Sequence, residues 1–474
     1  MKKPPNIILI FPDQHRGEIM GCMGDPVVIT PNLDKLASEG VVFTQCFTNS
    51  PLCIPARATL MTGKYVSEHG VINNNMEASS SSQSHVRNIR DAGYHTAVIG
   101  KTHLYQHTAG DNTYDKTNVI REWGFDDIHE ITGPIASIRL DSPYTDHLKE
   151  KGLLETHRKY LRDYWMEWRS GEAKPWKLEP SPLPTEDHMD SYTGQKAVDW
   201  ISNYHNEKPF YLQICFPGPH DPFDSPQEYR DMYNSEKMPP GILETPKKPY
   251  PGNIKFVLNW SGLDGITKAQ NQLMKTFYYG KITLIDEWIG KIMSALEEKE
   301  LLDNTWIIYT SDHGEMLGDH MMSHKIVFYE GALRIPLIVR PPKGINGWNC
   351  NGLTDQIDVA TTLIDIANAK PLEECCGRTL VPQILAGSDD QNAQKGRDVV
   401  FSQVLRYTMI RDERYKLIVR SHNLDPLELY DLEKDPNELE NRVNDRSIIS
   451  IRQNLIDSHL KMLLKPSRMK IPPP

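Results

Sequence analysis

The segment 50–65, Ser-Pro-Leu-Cys-Ile-Pro-Ala-Arg-Ala-Thr-Leu-Met-Thr-Gly-Lys-Tyr, places Cys53 at the mouth of a short helix. Pro55 suits the first turn and Gly63 the position just past the last. The unpaired N–H groups of a first turn, with the helix dipole, attract anions and lower a thiol pKa. Arg57, four residues on, adds a fixed cationic fork suited to a tetrahedral oxyanion. An isolated cysteine is usually a small buried hydrophobe. The spacing Cys-x-Pro-x-Arg, followed by Leu-Met-Thr-Gly, points instead to a reactive side chain.

Two further segments end apolar runs in acids: Asp13-Gln14 after 6–11, and Asp312-His313 after 305–310. In open parallel sheets ligands bind at the carboxyl ends of strands. Bringing both ends together offers Asp13, Gln14, Asp312 and His313 to one divalent cation. Hard oxygen donors with one imidazole suit Ca²⁺ first and Mn²⁺ second, rather than structural Zn²⁺. Each aspartate alone reads as a cap or turn former; two such ends beside Cys53 favour a metal centre. Lys101 and His103 follow the run 96–99, His220 follows 210–215, and Lys325 lies shortly after the Gly318-Asp319-His320 turn. Singly these would be a solvated lysine or a structural histidine. Asp319-His320 reads as turn and packing chemistry. His188 and Asp190 could touch substrate, although helix capping accounts for Asp190 as well.

These groups need a scaffold. Apolar runs rich in β-branched residues at 6–11, 41–43, 96–99, 210–215, 305–310 and 335–340 predict strands buried on both faces of a mostly parallel sheet. Helices are expected at 30–40, 190–205 and about 268–300, the last with Leu273, Phe277, Leu284, Trp288, Ile292 and Leu296 as its apolar side. The alternation predicts an α/β sandwich, a large sheet between helical layers. After about residue 385 the texture changes to short strands at 399–404, 407–411 and 415–419 and a helix at 447–464. The expected division is a catalytic domain over 1–385 and an α+β subdomain over 386–474, a small antiparallel sheet capped by one helix. Residues 105–185, with Trp165, Trp168 and Trp176, and the proline-rich 239–252 read as surface excursions of the kind that shape clefts. The tryptophans read as satellite packing rather than sugar stacking, and the tail 471–474 as frayed.

The 474 residues carry a net charge of −10, which argues against a nucleic-acid surface but not against a local cationic cleft. No run is long enough to span a bilayer, so no membrane partner is expected. The start lacks a long apolar core and a small-residue cleavage site, which points to the cytoplasm, or to the periplasm or exterior if a leader has been removed. Seven cysteines include the adjacent pair Cys375-Cys376 and show no zinc-like spacing. Apart from Cys53 they read as structural thiols. The sequence carries no signal of oligomeric state.

The Cys53 segment resembles the signature of the type I sulfatases of the alkaline phosphatase superfamily, and the other motifs recur in the order of that family over nearly the whole chain. The resemblance implies an alkaline phosphatase-like fold and hydrolysis of sulfate monoesters, of sulfated carbohydrates or a small sulfate ester. It implies that a maturation enzyme oxidises Cys53 to formylglycine, whose hydrated form is the nucleophile and a metal ligand alongside Asp13, Gln14, Asp312 and His313. Asp13 or a neighbouring carboxylate would take the nucleophile's proton. Arg57 and Lys101 would hold its oxygens, Lys325 and His220 the sulfate, with His220 protonating the leaving oxygen, and His103 would act in sulfate release. Many members have Asp where this chain has Gln14, Asn where it has His313, and Ser where it has Ala56. Asp-Gln with Asp-His also resembles relatives that cleave phosphonate monoesters and phosphodiesters, which is the alternative function. Gly-Lys-x-His at Lys101 is the sulfatase-like form. A second alternative is a silent carbohydrate-binding relative with an unmodified Cys53. Specificity is expected from 105–185, 225–262 and Arg406.

Overall fold

A computed structural model of the chain describes residues 3–107, 112–172, 174, 178–245, 247 and 251–464. Trp176, part of the proline-rich stretch and the tail 471–474 lie outside the described residues.

Among the described residues, ten short strands precede residue 356: β1 (Asn6–Ile10), β2 (Val41–Phe43), β3 (Cys46–Phe47), β4 (His95–Gly100), β5 (Asp127–Glu130), β6 (Phe210–Cys215), β7 (Thr305–Thr310), β8 (Leu337–Arg340), β9 (Trp348–Cys350) and β10 (Thr354–Asp355). Eight of them form one sheet in the order β5-β4-β6-β1-β7-β8-β2-β9, and β10 pairs with β3 apart from it. Only the two pairings made by β8 are antiparallel; the others in the large sheet are parallel. The mostly parallel α/β sheet expected from the apolar runs is therefore present. The run 335–340 starts pairing only at Leu337, because Pro336 has no N–H to give a ladder.

The runs are continuous because both faces of the sheet are covered. Ile7 and Leu9 of β1 pack into one layer with Ile54, Ala58 and Met61 of the Cys53 helix. Ile8 and Ile10 point the other way, onto Leu284, Ile285, Trp288 and Ile292 of the long helix Lys268–Glu298. Successive strand residues alternate between faces, so one five-residue strand anchors the helices above and below it. Thr267 and Gln270 close a capping box at the start of the long helix.

A second sheet follows, antiparallel in the order β11 (Val400–Val404), β12 (Tyr407–Arg411), β13 (Tyr415–Arg420) and β14 (Pro426–Asp431). Its fourth strand was not legible in Pro-Leu-Glu-Leu-Tyr-Asp, whose opening proline and two acids depress β-propensity. One face shares a core with the main body through Met409, Ile418, Phe47 and Leu333. The other is covered by Leu455, Ile456 and Leu460 of the C-terminal helical segment. That segment is interrupted: a π-helical turn, Ile456–Leu460, separates Ile449–Leu455 from Lys461–Leu463. Among the described residues no helix is long and apolar enough to cross a membrane.

The excursion 105–185 is more ordered than its polar composition suggests. It holds β5 and the helices Pro143–Glu150 and Leu154–Ser170. Trp168 packs against Trp165, Trp260 and His324, with ring centroids 5.2, 5.0 and 5.4 Å away.

Candidate active site at the strand ends

Four neighbouring parallel strands, β4, β6, β1 and β7, finish side by side: Gly100 stands opposite Cys215, and Ile10 opposite both Ile214 and Tyr309. The chain leaving each carries one of the expected groups, respectively Lys101, His220, Asp13 and Asp312. A glycine is needed where β4 ends, because Gly100 has φ +103° and a Cβ would lie 2.0 Å from the Cys215 carbonyl oxygen. The Cys53–Thr62 helix lies against the sheet with every residue buried and ends at Gly63, φ 66°, whose N–H donates to the Thr59 carbonyl. Local punctuation read from the sequence, Pro55 inside and Gly63 just beyond, thus matches the helix.

One donor atom from each of Asp13, Cys53, Asp312 and His313 lies within 4.8 Å of the others, and all four residues are buried. Cys53 Sγ is 3.1 Å from His313 Nε2 and 3.9 Å from Asp13 Oδ1. Gln14 joins this group through its backbone N–H, which donates to Asp312 Oδ1 at 2.9 Å. Its side chain bridges two further groups: the amide nitrogen donates to Glu315 and the oxygen accepts from Lys325.

Arg57 differs from the sequence reading. Its fork is not open to an oxyanion: Nε donates to Asp312 Oδ2 and Nη2 to Asp13 Oδ2, both at 2.9 Å, and Nη1 to the Lys101 carbonyl at 2.7 Å. Lys101 Nζ donates to Asp13 Oδ2 at 2.6 Å. A guanidinium bridging two buried carboxylates is the physical answer to placing two negative charges out of water. Lys325 Nζ stands 2.9 Å from His220 Nε2, and His220 Nδ1 donates to the Asp221 carbonyl at 2.7 Å. His103 sits beside the thiol and stacks on His107 at 4.6 Å; His103 Nδ1 and His107 Nε2 are buried with no hydrogen-bond partner among the described residues.

The electrostatics follow from this crowding. Burial and Asp13 push the Cys53 thiol up, but Lys325, His313 and His103 outweigh them and hold it well below the usual thiol range. Burial also opposes the Asp13 carboxylate, and Lys101, His220, Arg57 and His313 overcome it, so its pKa is strongly lowered. Burial and Lys101 lower His103, which favours a neutral imidazole able to accept a proton. By contrast Cys46, buried beside Asp358 and Asp355, is pushed well above the ordinary thiol value.

A second layer, invisible in the sequence, holds the first. Thr48 Oγ1 and Gln356 Nε2 both donate to the Asp312 carbonyl. Asp190 Oδ1 accepts from Gly218 N–H at 2.7 Å, which fixes the loop carrying His220. Lys281, on the long helix, donates to the carbonyls of His220 and Pro222 at 3.0 and 3.1 Å and to Asp224 at 3.0 Å. Glu130, at the end of β5, accepts from Thr102 and from the Tyr105 hydroxyl. Asp319 pairs with Arg16 at 2.7 Å and His320 stacks on Tyr329 at 4.1 Å, which is packing chemistry as read. Only through-space pairing identifies Asp190, Lys281 and Glu130 as supports, since each lies far from its partner in sequence.

A cavity of about 780 Å³ opens from this centre and is lined by Lys101, His103, His220 and residues of 133–140 and 162–169. No described residue of 225–262 lines it, and neither does Arg406, which is exposed. The cleft wall therefore comes from one of the expected excursions, with Trp260 packed behind it on Trp168.

A family model described as Sulfatase matches residues 5–369, and one described as N-sulphoglucosamine sulphohydrolase, C-terminal, matches 318–465. The chain is 30% identical to an arylsulfatase of Clostridium perfringens over 97% of this chain and 94% of that protein. It is 28% identical to the N-acetylglucosamine-6-O-sulfatase of Bacteroides thetaiotaomicron, over 93% of this chain and 82% of that protein. The solved structure of a phosphonate monoester hydrolase of Agrobacterium radiobacter is similar with a TM-score of 0.78 at 26% identity, covering 98% of this chain and 96% of that one.

Proposed function

This chain belongs to the sulfatase family of the alkaline phosphatase superfamily, a family of sulfuric ester hydrolases, and from that premise we propose that it cleaves sulfate monoesters of saccharides at residue 53. The observation that carries the reading is the convergence of Asp13, Cys53, Asp312 and His313 within 4.8 Å, ringed by Lys101, His103, His220 and Lys325. A similar protein named as an N-acetylglucosamine-6-O-sulfatase supports the saccharide class.

The donor set fits a divalent cation: two buried carboxylates and one imidazole beside residue 53 suit Ca²⁺, with Mn²⁺ second. Asp13, Asp312 and His313, with Gln14 and the residue-53 side chain, would hold it, and it would supply charge neutralisation at the reacting anion. Formylglycine at residue 53 would supply a hydrated aldehyde as nucleophile. Asp13 Oδ1, 3.9 Å from Sγ, is the carboxylate oxygen placed to take a proton there. Arg57 holds both aspartates in fixed orientation. Lys325 and His220, 2.9 Å apart, form a proton-bearing pair that would bind the sulfate and protonate the departing oxygen. With its Nδ1–H committed to the Asp221 carbonyl, His220 turns Nε2 to Lys325 Nζ, the group that can supply it with a proton. His103, held neutral by burial and Lys101, is the base for sulfate release.

A phosphonate monoester hydrolase reading has its own support in the similar structure of that activity. Rates on an aryl sulfate and an aryl phosphonate ester, measured side by side on matured protein, separate the two. Faster turnover of the sulfate is expected; faster turnover of the phosphonate would replace this reading with the other.

A further inference from the structure

The helix Leu154–Ser170 presents Arg162, Trp165, Met166 and Arg169 to the cavity. Their spacing, i, i+3, i+4 and i+7, is one face of an α-helix. Arg139 lines the same cavity from the facing segment. This wall is braced. Arg158 donates to the Ser137 carbonyl at 3.1 Å and to Asp141 at 2.6 Å, and His157 Nε2 meets Ser137 Oγ at 2.8 Å. The helix and the 137–141 segment are thereby clipped together, which fixes Arg139 relative to Arg162 and Arg169.

Charge is distributed unevenly. Although the chain carries −10 overall, no aspartate or glutamate is among the described residues lining the cavity, which include three arginines, a lysine and three histidines. Arg162 pairs with Glu155 at 2.8 Å on an open surface, a weak restraint. The Arg139 and Arg169 side chains make no hydrogen bond and no ion pair with any described residue. Two exposed guanidinium forks on a braced wall, without counterions, are suited to planar or tetrahedral oxyanions.

We propose that Arg139 and Arg169, supported by Arg162, bind a second anionic group on the substrate, a sulfate or a uronate carboxylate, so that the enzyme acts on saccharides carrying at least two negative charges. This rests on the sulfate-ester reading above and adds which esters are preferred. The reacting sulfate lies at the strand ends; the second anion lies along the helix face, on the neighbouring sugar.

The test uses matured full-length protein and matched disaccharides carrying the scissile sulfate alone, that sulfate plus a second one, or that sulfate plus a uronate. Wild type is expected to prefer either doubly charged disaccharide by about 10-fold or more in kcat/KM, with the preference shrinking as salt rises. The larger of the two preferences identifies the second anion. In the double variant Arg139→Ala/Arg169→Ala most of that preference is lost, and the fall on the singly sulfated disaccharide is several-fold smaller. Equal rates in wild type, or equal falls on both classes in the variant, would overturn the proposal. If no ester is cleaved, the sulfatase reading fails separately. Calorimetric binding of the same disaccharides to Cys53→Ala protein then decides: tighter binding of the doubly charged ones, abolished by the arginine substitutions, supports the arginine site, and equal binding rejects it.

Discussion

At the strand ends, Arg57 and Lys101 direct their donors to buried carboxylates and carbonyls, while on the cleft wall Arg139 and Arg169 face the cavity without a partner among the described residues. Both groups are cationic, and both serve an anionic substrate under the proposed function. The inner cations stand in low dielectric, where an unpaired charge is very costly, so the fold surrounds them with partners. The outer ones remain hydrated and can stay unpaired until a ligand arrives. The inner set is tied to strands buried on both faces and, under the proposed function, would fix what reaction occurs. The outer set rides on an excursion from the sheet and, as proposed above, would select which molecule undergoes it.

Breaking the inner region should have the largest effect. Cys53→Ala is expected to lower kcat by about 10⁴-fold or more while the far-UV spectrum and melting temperature stay close to wild type, since a small buried side chain replaces another. Full activity in that variant would remove residue 53 from the mechanism. Asp312→Asn deletes one charge of the proposed cation site and the partner of Arg57 Nε. A fall of about 100-fold in kcat/KM is expected, with more added metal needed for half activity.

Supports just outside the centre should matter less. Lys281→Met frees the carbonyls of residues 220 and 222, so we expect about a 10-fold loss in kcat and a displaced pH profile, because His220 is no longer held. An unchanged profile would assign Lys281 a purely structural role.

Glu130 lies where the two regions meet, since its carboxyl anchors the loop from Lys101 towards the cleft. Burial, against bonds from Thr102 and Tyr105, raises its pKa to about 8. Between the unfolded value near 4.5 and about 8 the folded state holds a proton that the unfolded state has lost. Stability contributed here therefore falls as pH rises through that window and levels off above it. Glu130→Gln, neutral throughout, should remove this fall, roughly 3–4 kcal/mol between pH 5 and 8, measured by urea unfolding at pH 5, 6.5 and 8. Parallel slopes for variant and wild type would show that Glu130 is ionised in the fold.

The contrast also separates what the sequence made legible from what it did not. Strand runs such as 210–215 and 305–310, and the helix bounded by Pro55 and Gly63, depend on local patterning and local backbone geometry, so they could be read directly. The acids after β1 and β7 were legible because strand ends are where parallel sheets place ligands. The helix Leu154–Ser170 was not, because its sequence is dense in charge and aromatic residues and buries only His157 and Leu161. Nor was the commitment of Arg57 to Asp13 and Asp312, since nothing local shows which of several partners a guanidinium will meet. Asp190 illustrates the limit well: its position at a helix start suggests a cap, yet its carboxylate holds a glycine of the His220 loop.

The most direct test of chemistry at residue 53 pairs turnover of an aryl sulfate with the mass of the residue-53 peptide, across preparations matured to different extents. Turnover should rise in proportion to the fraction carrying aldehyde and vanish where only thiol is found. Full turnover by protein whose residue 53 is entirely thiol would contradict the account.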